Sequence, residues 1–167
     1  VVDIFTGQPK DGDDATRHID QDRQLSLEAT IARGNSLTLD MAQITKNMCT
    51  VQKRNDISTD ESSLISRSGV SESLPHGMNF SIEMETGTGK TYVYLRTIHE
   101  LHQHYNWKKF IIVVPSVAIR EGVLKNLAIT REHFADLYSK PEMDYYVWDS
   151  KKTGQAREFA TNDTLQI

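Results

Sequence analysis

Residues 86–91, with the sequence TGTGKT, have the composition of a loop that binds phosphate groups. Gly87 and Gly89 permit backbone turns and a close approach that a Cβ atom would block. Lys90 can bring a positive charge to the β and γ phosphates of a nucleoside triphosphate, and the hydroxyl of Thr91 can ligate Mg²⁺. The spacing therefore predicts a nucleotide-binding loop in the middle of the chain.

The residues around this loop give it the setting that such a motif needs. The alternating segment NFSIEME, residues 79–85, predicts a strand that leads into the loop. Apolar residues then recur at helical spacing, at Tyr94, Ile98, Leu101 and Tyr105. Backbone amides at the start of such a helix attract anions. The pattern G-x-x-x-x-G-K-[ST] is not met in full, because Met84 stands at its first position, but the core G-x-G-K-[ST] is met.

The downstream sequence predicts strands that alternate with helices. The continuous apolar run FIIVVP, residues 110–115, is typical of a strand covered on both faces. Helices are predicted at 117–127 and 130–138, a stop at Pro141, and further strands at 144–150 and 164–167. This alternation predicts an α/β fold with a parallel sheet.

The upstream part of the chain predicts one clear helix and little else. Asp40 and Gln43 have the spacing of a capping box that would start a helix near residues 40–54. Met41, Ile44, Met48 and Val51 would then lie on one buried face. Residues 55–77 are rich in Ser, Asp and Glu and predict a polar connector. We therefore expect an N-terminal segment at 1–77 and a separate α/β domain that begins at residue 78.

Composition limits the class of protein. The net charge is −4, and residues 76–167 carry 11 acidic and 11 basic side chains, so no broad basic surface is expected and any nucleic-acid contact must be local. No apolar run reaches the length of a membrane span. Cys49 is the only cysteine, which excludes an internal disulfide and favours a cytoplasmic protein.

Three other groups of residues have a possible chemistry and a simpler interpretation. In HELHQH, His99, His102 and His104 could suggest a metal site, but the H-E-x-x-H spacing is not met, and a solvated helix face is favoured. The mixture of aromatic and basic residues at 145–152 could stack bases, but a core strand followed by two exposed lysines is favoured. Cys49 is expected to be a buried apolar filler and His133 to lie on a helix surface.

The segments METGTGKTY and VVPSVAIREG, with weaker matches in DYYVWDSKK, REFATNDTLQI and VVDIFTGQPK, resemble the Res subunit of type III restriction–modification enzymes. Those subunits carry a superfamily 2 helicase-like motor built from two RecA-like domains. The resemblance is strong over residues 78–167 and thin over 11–77. It implies that residues 78–167 are the first part of a RecA-like P-loop NTPase domain, preceded by a mostly helical and loop-rich segment.

The resemblance also implies roles for individual residues. TGTGKT matches helicase motif I, so Glu85 to Thr91 (that is, Glu85, Thr86, Gly87, Thr88, Gly89, Lys90 and Thr91) would hold ATP and Mg²⁺, with Lys90 and Thr91 in the catalytic roles and Thr91 as the metal ligand. VVPSVAIREG matches motif Ia, so Pro115, Ser116 and Arg120 would contact the DNA backbone. The physics alone leaves a helix cap with a solvated arginine as an equal alternative. Thr161 and Asn162 fall where such motors have another strand-contacting segment.

The expected assembly is larger than this chain. The resemblance implies double-stranded DNA and a modification (methyltransferase) subunit as partners, and an ATP hydrolase and endonuclease as the complete enzyme. The acidic D-E-x-H segment, the arginine finger and the nuclease site are expected outside these residues, so we expect a fragment that hydrolyses ATP very poorly. The alternatives are another superfamily 2 helicase, a type I restriction translocase, or a nucleotide-binding remnant without turnover.

Overall fold

The computed structural model of the chain describes residues 1–12, 34–59 and 80–167. These residues fall into two compact units, one made of Val1–Gly7 and Leu39–Lys90 and the other of Gln8–Thr38 and Thr91–Ile167. The elements are a 3₁₀ helix at Val2–Phe5, helices α1 (Met41–Arg54), α2 (Lys90–Tyr105), α3 (Val117–Leu137) and α4 (Thr153–Thr161), and strands β1 (Met143–Asp144) and β2 (Leu165–Gln166). No helix in the described part of the chain is both long and apolar enough to cross a membrane.

The first unit is organised around α1, which begins with the predicted capping box. The carboxylate of Asp40 accepts a hydrogen bond from the Gln43 amide at 2.8 Å, and the Gln43 side chain accepts one from the Asp40 amide at 3.1 Å. Ile44 and Met48 are buried as predicted. Met41 is an exception, since 49% of its surface is exposed at the first helical position and the buried stripe starts one turn later.

Helix α1 packs on the 3₁₀ helix at Val2–Phe5. The Asn47 side chain donates to the carbonyls of Ile4 and Thr6, and Phe5 meets Phe80 edge to face at 6.2 Å. Cys49 is half-buried and not the fully buried filler that the sequence predicts, because it lies one position past the buried Met48 on the helix.

The second unit contains a small parallel sheet with β2 in its middle. The Gln166 amide donates to the Lys108 carbonyl and the Phe110 amide donates to the Gln166 carbonyl, at 2.7 and 3.0 Å. On the other side, β2 pairs in parallel with β1, with Leu165 opposite Met143. The predicted parallel pairing and the strand expected at residues 164–167 are confirmed.

Three predicted strands are absent or much shorter than expected. Residues 80–85 form no strand, and residue 79 lies outside the described part of the chain. The strand predicted at 144–150 pairs only near its start, as β1. Residues 110–115 join the sheet only at their beginning, and Ile111 and Val113 are 79% and 88% exposed. The prediction that this run is covered on both faces is wrong, because the described elements pack only on the side of Phe110, Ile112 and Val114.

The two helices predicted at 117–127 and 130–138 form one continuous helix, α3. No glycine or proline separates the two patterns, and Thr130 remains in the helix with its hydroxyl bonded to the Asn126 carbonyl at 2.7 Å. Tyr138 caps the carboxyl end, and Ser139 and Lys140 follow with positive φ angles of 60° and 56°. The helix ends before Pro141, as predicted.

Helices α2 and α3 are joined by four aromatic rings that alternate between them, which we call the ring stack: Tyr92, Phe134, His99 and Tyr138. Tyr92 stacks on Phe134 at 5.3 Å, Phe134 lies 4.7 Å from His99, and His99 stacks on Tyr138 at 5.2 Å with 10° between their planes. Beside the stack, Leu95, Leu127 and Leu165 fill the core of this unit.

Of the three histidines of HELHQH, His104 is exposed and the other two are at least partly buried. His99 is 3% exposed within the ring stack, and burial, with a smaller effect of nearby His102, lowers its pKa from 6.5 to about 4. His102 is half-buried beside the Trp107 carbonyl, at 2.9 Å, and burial also lowers its pKa. His104 is exposed near Glu100. The sequence prediction is therefore wrong for His99, although the described residues contain no cluster that could hold a metal.

Replacing His99 with Phe is expected to reduce the loss of stability in mild acid. Because the pKa of His99 is about 4 in the folded chain and 6.5 in the unfolded one, the unfolded chain takes up the proton first as the pH falls. Between these two pH values, protonation of His99 in the unfolded chain lowers the free energy of unfolding by about 3 kcal/mol. Urea unfolding at about pH 7 and about pH 4.5 measures this difference.

His104→Gln is the matched control for this experiment, because it also removes a histidine from the same helix, but an exposed one outside the ring stack. The titratable groups nearest to His99 are His102 on α2 and Tyr138 at the end of α3, and Tyr138 does not titrate in this range. An identical acid dependence in the wild type and in His99→Phe would contradict the assignment of the buried imidazole.

Candidate phosphate loop and backbone-binding helix

The loop at residues 85–89 connects residues 80–84, which form no helix or strand, to the first turn of α2. Gly87 and Gly89 have positive φ angles of 84° and 85°, a region that residues with a Cβ rarely occupy. Apart from the adjoining residues, no heavy atom of the described part of the chain lies within 4 Å of the position of an added Cβ at either glycine. The glycines are therefore required by backbone conformation and not by crowding, and the space around the loop is open.

Lys90 and Thr88 both turn back onto the loop. The Lys90 ammonium and the Thr88 hydroxyl each donate to the Glu85 carbonyl at 2.7 Å. Residues 85–90 are all exposed, and Thr91 is half-buried. A chain of phosphates can bind to a loop that has backbone turns with positive φ, a helix start and an ammonium group at one end. The two glycine turns and the helix that begins at Lys90 lie where the sequence predicts them, and the phosphate-binding role of these residues stays a prediction.

The start of α3 forms a second place where an anion can bind. Ser116 is the N-cap, and its hydroxyl accepts from the Ile119 amide at 3.3 Å. The first turn carries no acidic residue, and Pro115 and Ser116 are exposed. Backbone amides at such a start attract phosphate groups. The hydroxyl that the sequence assigned to a phosphate is here engaged in capping the helix.

Arg120, one turn into α3, is exposed and paired with its neighbour Glu121. Its guanidinium donates twice to one oxygen of Glu121, at 3.0 and 3.2 Å. The pair is exposed, with 41% and 60% of the two side chains accessible, so the attraction is screened by water. A phosphate that binds Arg120 must therefore compete with Glu121.

Two lysines that sequence reasoning did not single out hold the turn that contains Asn162. Lys108 pairs with Asp163 at 3.1 Å, and the Lys109 ammonium donates to the Asn162 carbonyl. The Asn162 side chain in turn accepts from the Thr164 amide at 3.1 Å. Thr161 bonds back within α4 to the Arg157 carbonyl. The sequence does show two lysines directly before an apolar run. It does not show their partners, because Asn162 and Asp163 are distant in the sequence.

The aromatic segment at residues 145–152 is not the core strand that the sequence predicts. Trp148 is 65% exposed, and Tyr145 and Tyr146 are half-buried. Lys151 and Lys152 are exposed, as expected. These aromatic residues face a groove of about 520 Å³ that is also lined by residues 110–114. The strand ends at Asp144, as β1, and beyond it the Tyr146 amide donates to the Ile167 carbonyl at 3.1 Å. His133 is exposed as predicted and bonds to the Tyr92 hydroxyl at 2.9 Å.

Similarity to known proteins covers most of the chain. The family described as "Type III restriction enzyme, res subunit" matches residues 38–166. The EcoPI Res subunit of Escherichia phage P1 is 34% identical over 145 residues, which are 85% of this chain and 14% of that protein. The StyLTI Res subunit of Salmonella typhimurium is 47% identical over 68 residues, 40% of this chain and 7% of that protein.

A third relative, the EcoP15I Res subunit of Escherichia coli, is 43% identical over 77 residues, 44% of this chain and 8% of that protein. The chain thus spans at most 14% of the length of these three type III restriction-modification enzyme subunits. No solved structure matches it significantly. Because the family match covers well over half of its residues, the chain belongs to the family of type III restriction enzyme Res subunits.

Proposed function

We propose that this chain is the front part of the ATP-dependent motor of a type III restriction endonuclease. The observation that carries the proposal is the open loop at residues 85–89, where two glycines with positive φ precede a helix that begins with Lys90. Membership of the Res family supports the same assignment. The complete enzyme would translocate on double-stranded DNA, cleave it, and act with a modification subunit.

Each residue of the loop has a role in this proposal. The backbone amides of Thr86, Gly87, Thr88 and Gly89, with Glu85 closing the loop, would hold the β and γ phosphates. Lys90 would move from the Glu85 carbonyl to those phosphates as a point charge. Thr91 would ligate Mg²⁺, which neutralises charge on the phosphates it bridges when it is bound. Lys90 and Thr91 would thereby favour transfer of the terminal phosphoryl group.

The fold assignment that goes with this function is a partial RecA-like domain. In this proposal residues 78–167 are its first part, and residues 1–77 are a preceding segment with the helix α1 and a polar connector. Support comes from the parallel order of residues 108–110, β2 and β1, and from the helices that precede and follow residues 108–115. Helices alternating with parallel strands are typical of this class.

The start of α3 would contact the DNA backbone. Pro115 and Ser116 are exposed at the beginning of the helix, and Arg120 would leave Glu121 to add one charge-assisted hydrogen bond to a phosphate. Contacts of this kind position a strand without reading its sequence. The chain contains no D-E-x-H segment to orient an attacking water, so it should bind ATP with little turnover.

Lys90→Ala is expected to weaken binding of ATP·Mg²⁺ at least tenfold, because the ammonium that meets the phosphates is removed. The change should leave the fold intact, since Lys90 is exposed and its only described contact is with the loop itself. Titration with a fluorescent ATP analogue measures the affinity, and thermal unfolding with and without ATP·Mg²⁺ provides a second readout.

Lys125→Ala is the matched control, because Lys125 is also an exposed helical lysine but lies far along α3 from its start. It should bind ATP·Mg²⁺ like the wild type. Equal affinities in all three proteins would refute the loop as the nucleotide site.

Changes at Arg120 and Glu121 should move DNA affinity in opposite directions. Arg120→Ala removes one phosphate contact, so binding should weaken and the salt dependence of log K should fall by about 1. Glu121→Gln removes the competing carboxylate and should tighten binding several-fold. Fluorescence anisotropy with a labelled duplex at several salt concentrations measures both effects.

Neither substitution should alter the affinity for ATP·Mg²⁺, because both residues lie on α3 and not in the phosphate loop. A loss of ATP affinity in Arg120→Ala, or weaker DNA binding in Glu121→Gln, would show that the start of α3 has a different role.

A further inference from the structure

Trp148 is an exposed aromatic residue of the second unit to which the proposed function gives no role. It is 65% exposed, and in the described part of the chain its ring stacks on no other ring and its indole N–H has no hydrogen-bond partner. Trp107, the other tryptophan, is 7% exposed and donates to the Ser36 carbonyl. The two tryptophans therefore differ, since only Trp107 is held by the fold.

The surface around Trp148 is an aromatic groove that lies entirely within the second unit. Its volume, about 520 Å³, is that of a pocket for a small organic group. Tyr146 and Phe159 line it and meet edge to face at 6.1 Å, and the Lys109 ammonium lies 5.5 Å from the Phe159 ring centre. One wall of the groove is thus fixed by ring contacts, and the indole beside it is open for stacking.

The charged groups at this groove are suited to an anion. Arg120 is the one charged side chain among the described residues that line it, and Lys151 and Lys152 are exposed directly after the aromatic segment. The acidic residues beside them in the sequence are engaged, Glu121 with Arg120 and Asp149 with the Lys151 amide at 2.9 Å. An apolar peptide would use none of these three cations, whereas a ligand with flat rings and phosphates would use both the aromatic and the basic groups.

We propose that this groove binds an unpaired nucleotide, with its base stacked on the Trp148 indole and its phosphates next to Arg120, Lys151 and Lys152. The inference rests on the proposed function, in which the same arginine meets a DNA backbone, and it adds the kind of strand that is bound. Bases inside a duplex present only their edges in the grooves. An indole face can therefore stack only on a single-stranded or displaced base.

The test compares a single strand with a duplex. Fluorescence anisotropy would measure the affinity of the chain for a fluorescein-labelled oligothymidylate of about 12 nucleotides and for a labelled duplex of equal length. Trp148→Leu should weaken binding of the single strand about tenfold and that of the duplex less than about twofold. Trp148→Phe, which keeps an aromatic face, should restore most of the affinity for the single strand.

Tryptophan emission provides a readout that a purely structural role of Trp148 would not change. The chain has two tryptophans, and Trp107 is buried, so a base stacked on Trp148 should quench the emission of the exposed one. Unlabelled oligothymidylate should quench the wild type and leave Trp148→Leu unchanged. The midpoint of thermal unfolding and the affinity for ATP·Mg²⁺ should be the same in both proteins, because Trp148 is exposed and lies outside the phosphate loop.

The lysines are tested by the dependence of binding on salt. Changing both Lys151 and Lys152 to Gln should reduce the slope of log K against log salt by about 0.7 for each lysine that meets a phosphate of the single strand. Lys125→Gln is the matched control, because Lys125 is an exposed lysine that does not line the groove, and it should leave the slope unchanged.

The outcomes separate this inference from the proposed function. Equal affinity of the wild type and Trp148→Leu for the single strand, or no quenching, would overturn the inference and leave the phosphate loop and Arg120 in place. Dimers that Trp148→Leu dissociates, without binding of the single strand, would also overturn it, by assigning the groove to a second copy of the chain. Quenching by the single strand without any binding of ATP·Mg²⁺ would overturn the proposed motor and retain the groove as a nucleotide site.

Discussion

The parallel pairing of β2 on both of its sides is the constraint on which the second unit depends. Backbone bonds join Gln166 to residues 108 and 110 on one side, and Ile167 to Asp144 and Tyr146 on the other. Parallel strands bring their carboxyl ends to one edge of a sheet, where functional groups of α/β proteins commonly lie. The pairing therefore fixes where residues 110–115 lead and where α3 begins. Leu165, at 1% exposure, shows how completely β2 is enclosed.

Polar side chains, and not further strands, extend this arrangement toward the amino-terminal part of the chain. Asn35 accepts from the amides of Lys108 and Lys109 and donates to the Lys109 carbonyl, as a neighbouring strand would. The buried Gln8 binds the Ser36 carbonyl and the Thr38 amide. Buried polar groups are stable only when they are paired. Gln8 and residues 35–38, in which the sequence shows no motif, thus stabilise the edge of the sheet next to residues 107–110.

Features that depend on neighbouring residues were predictable from the sequence. Which apolar residues are buried by elements distant in the sequence was not predictable. The capping box of α1, the helical spacing of α2 and the glycine turns of the loop at residues 85–89 all depend on residues within one or two turns. The exposure of Trp148, Ile111 and Val113 depends on which elements cover an apolar run, and periodicity does not encode this. His99 looked solvated because its neighbours are polar, but its partners Phe134 and Tyr138 belong to another helix. For the same reason the lysines that hold Asn162 were missed.

Charge placement explains how an acidic chain could still hold phosphates. The net charge is −4, and Arg120 is paired with Glu121, so side chains supply little positive potential at the start of α3. The attraction there comes mainly from backbone amides, whose partial charges act only over short distances. In the phosphate loop, Lys90 rests on a carbonyl and not on a carboxylate. When Lys90 leaves this position it loses a hydrogen bond to a neutral carbonyl but no ion pair. In the proposed role, a polyphosphate would therefore attract this ammonium more readily than a single phosphate would attract Arg120.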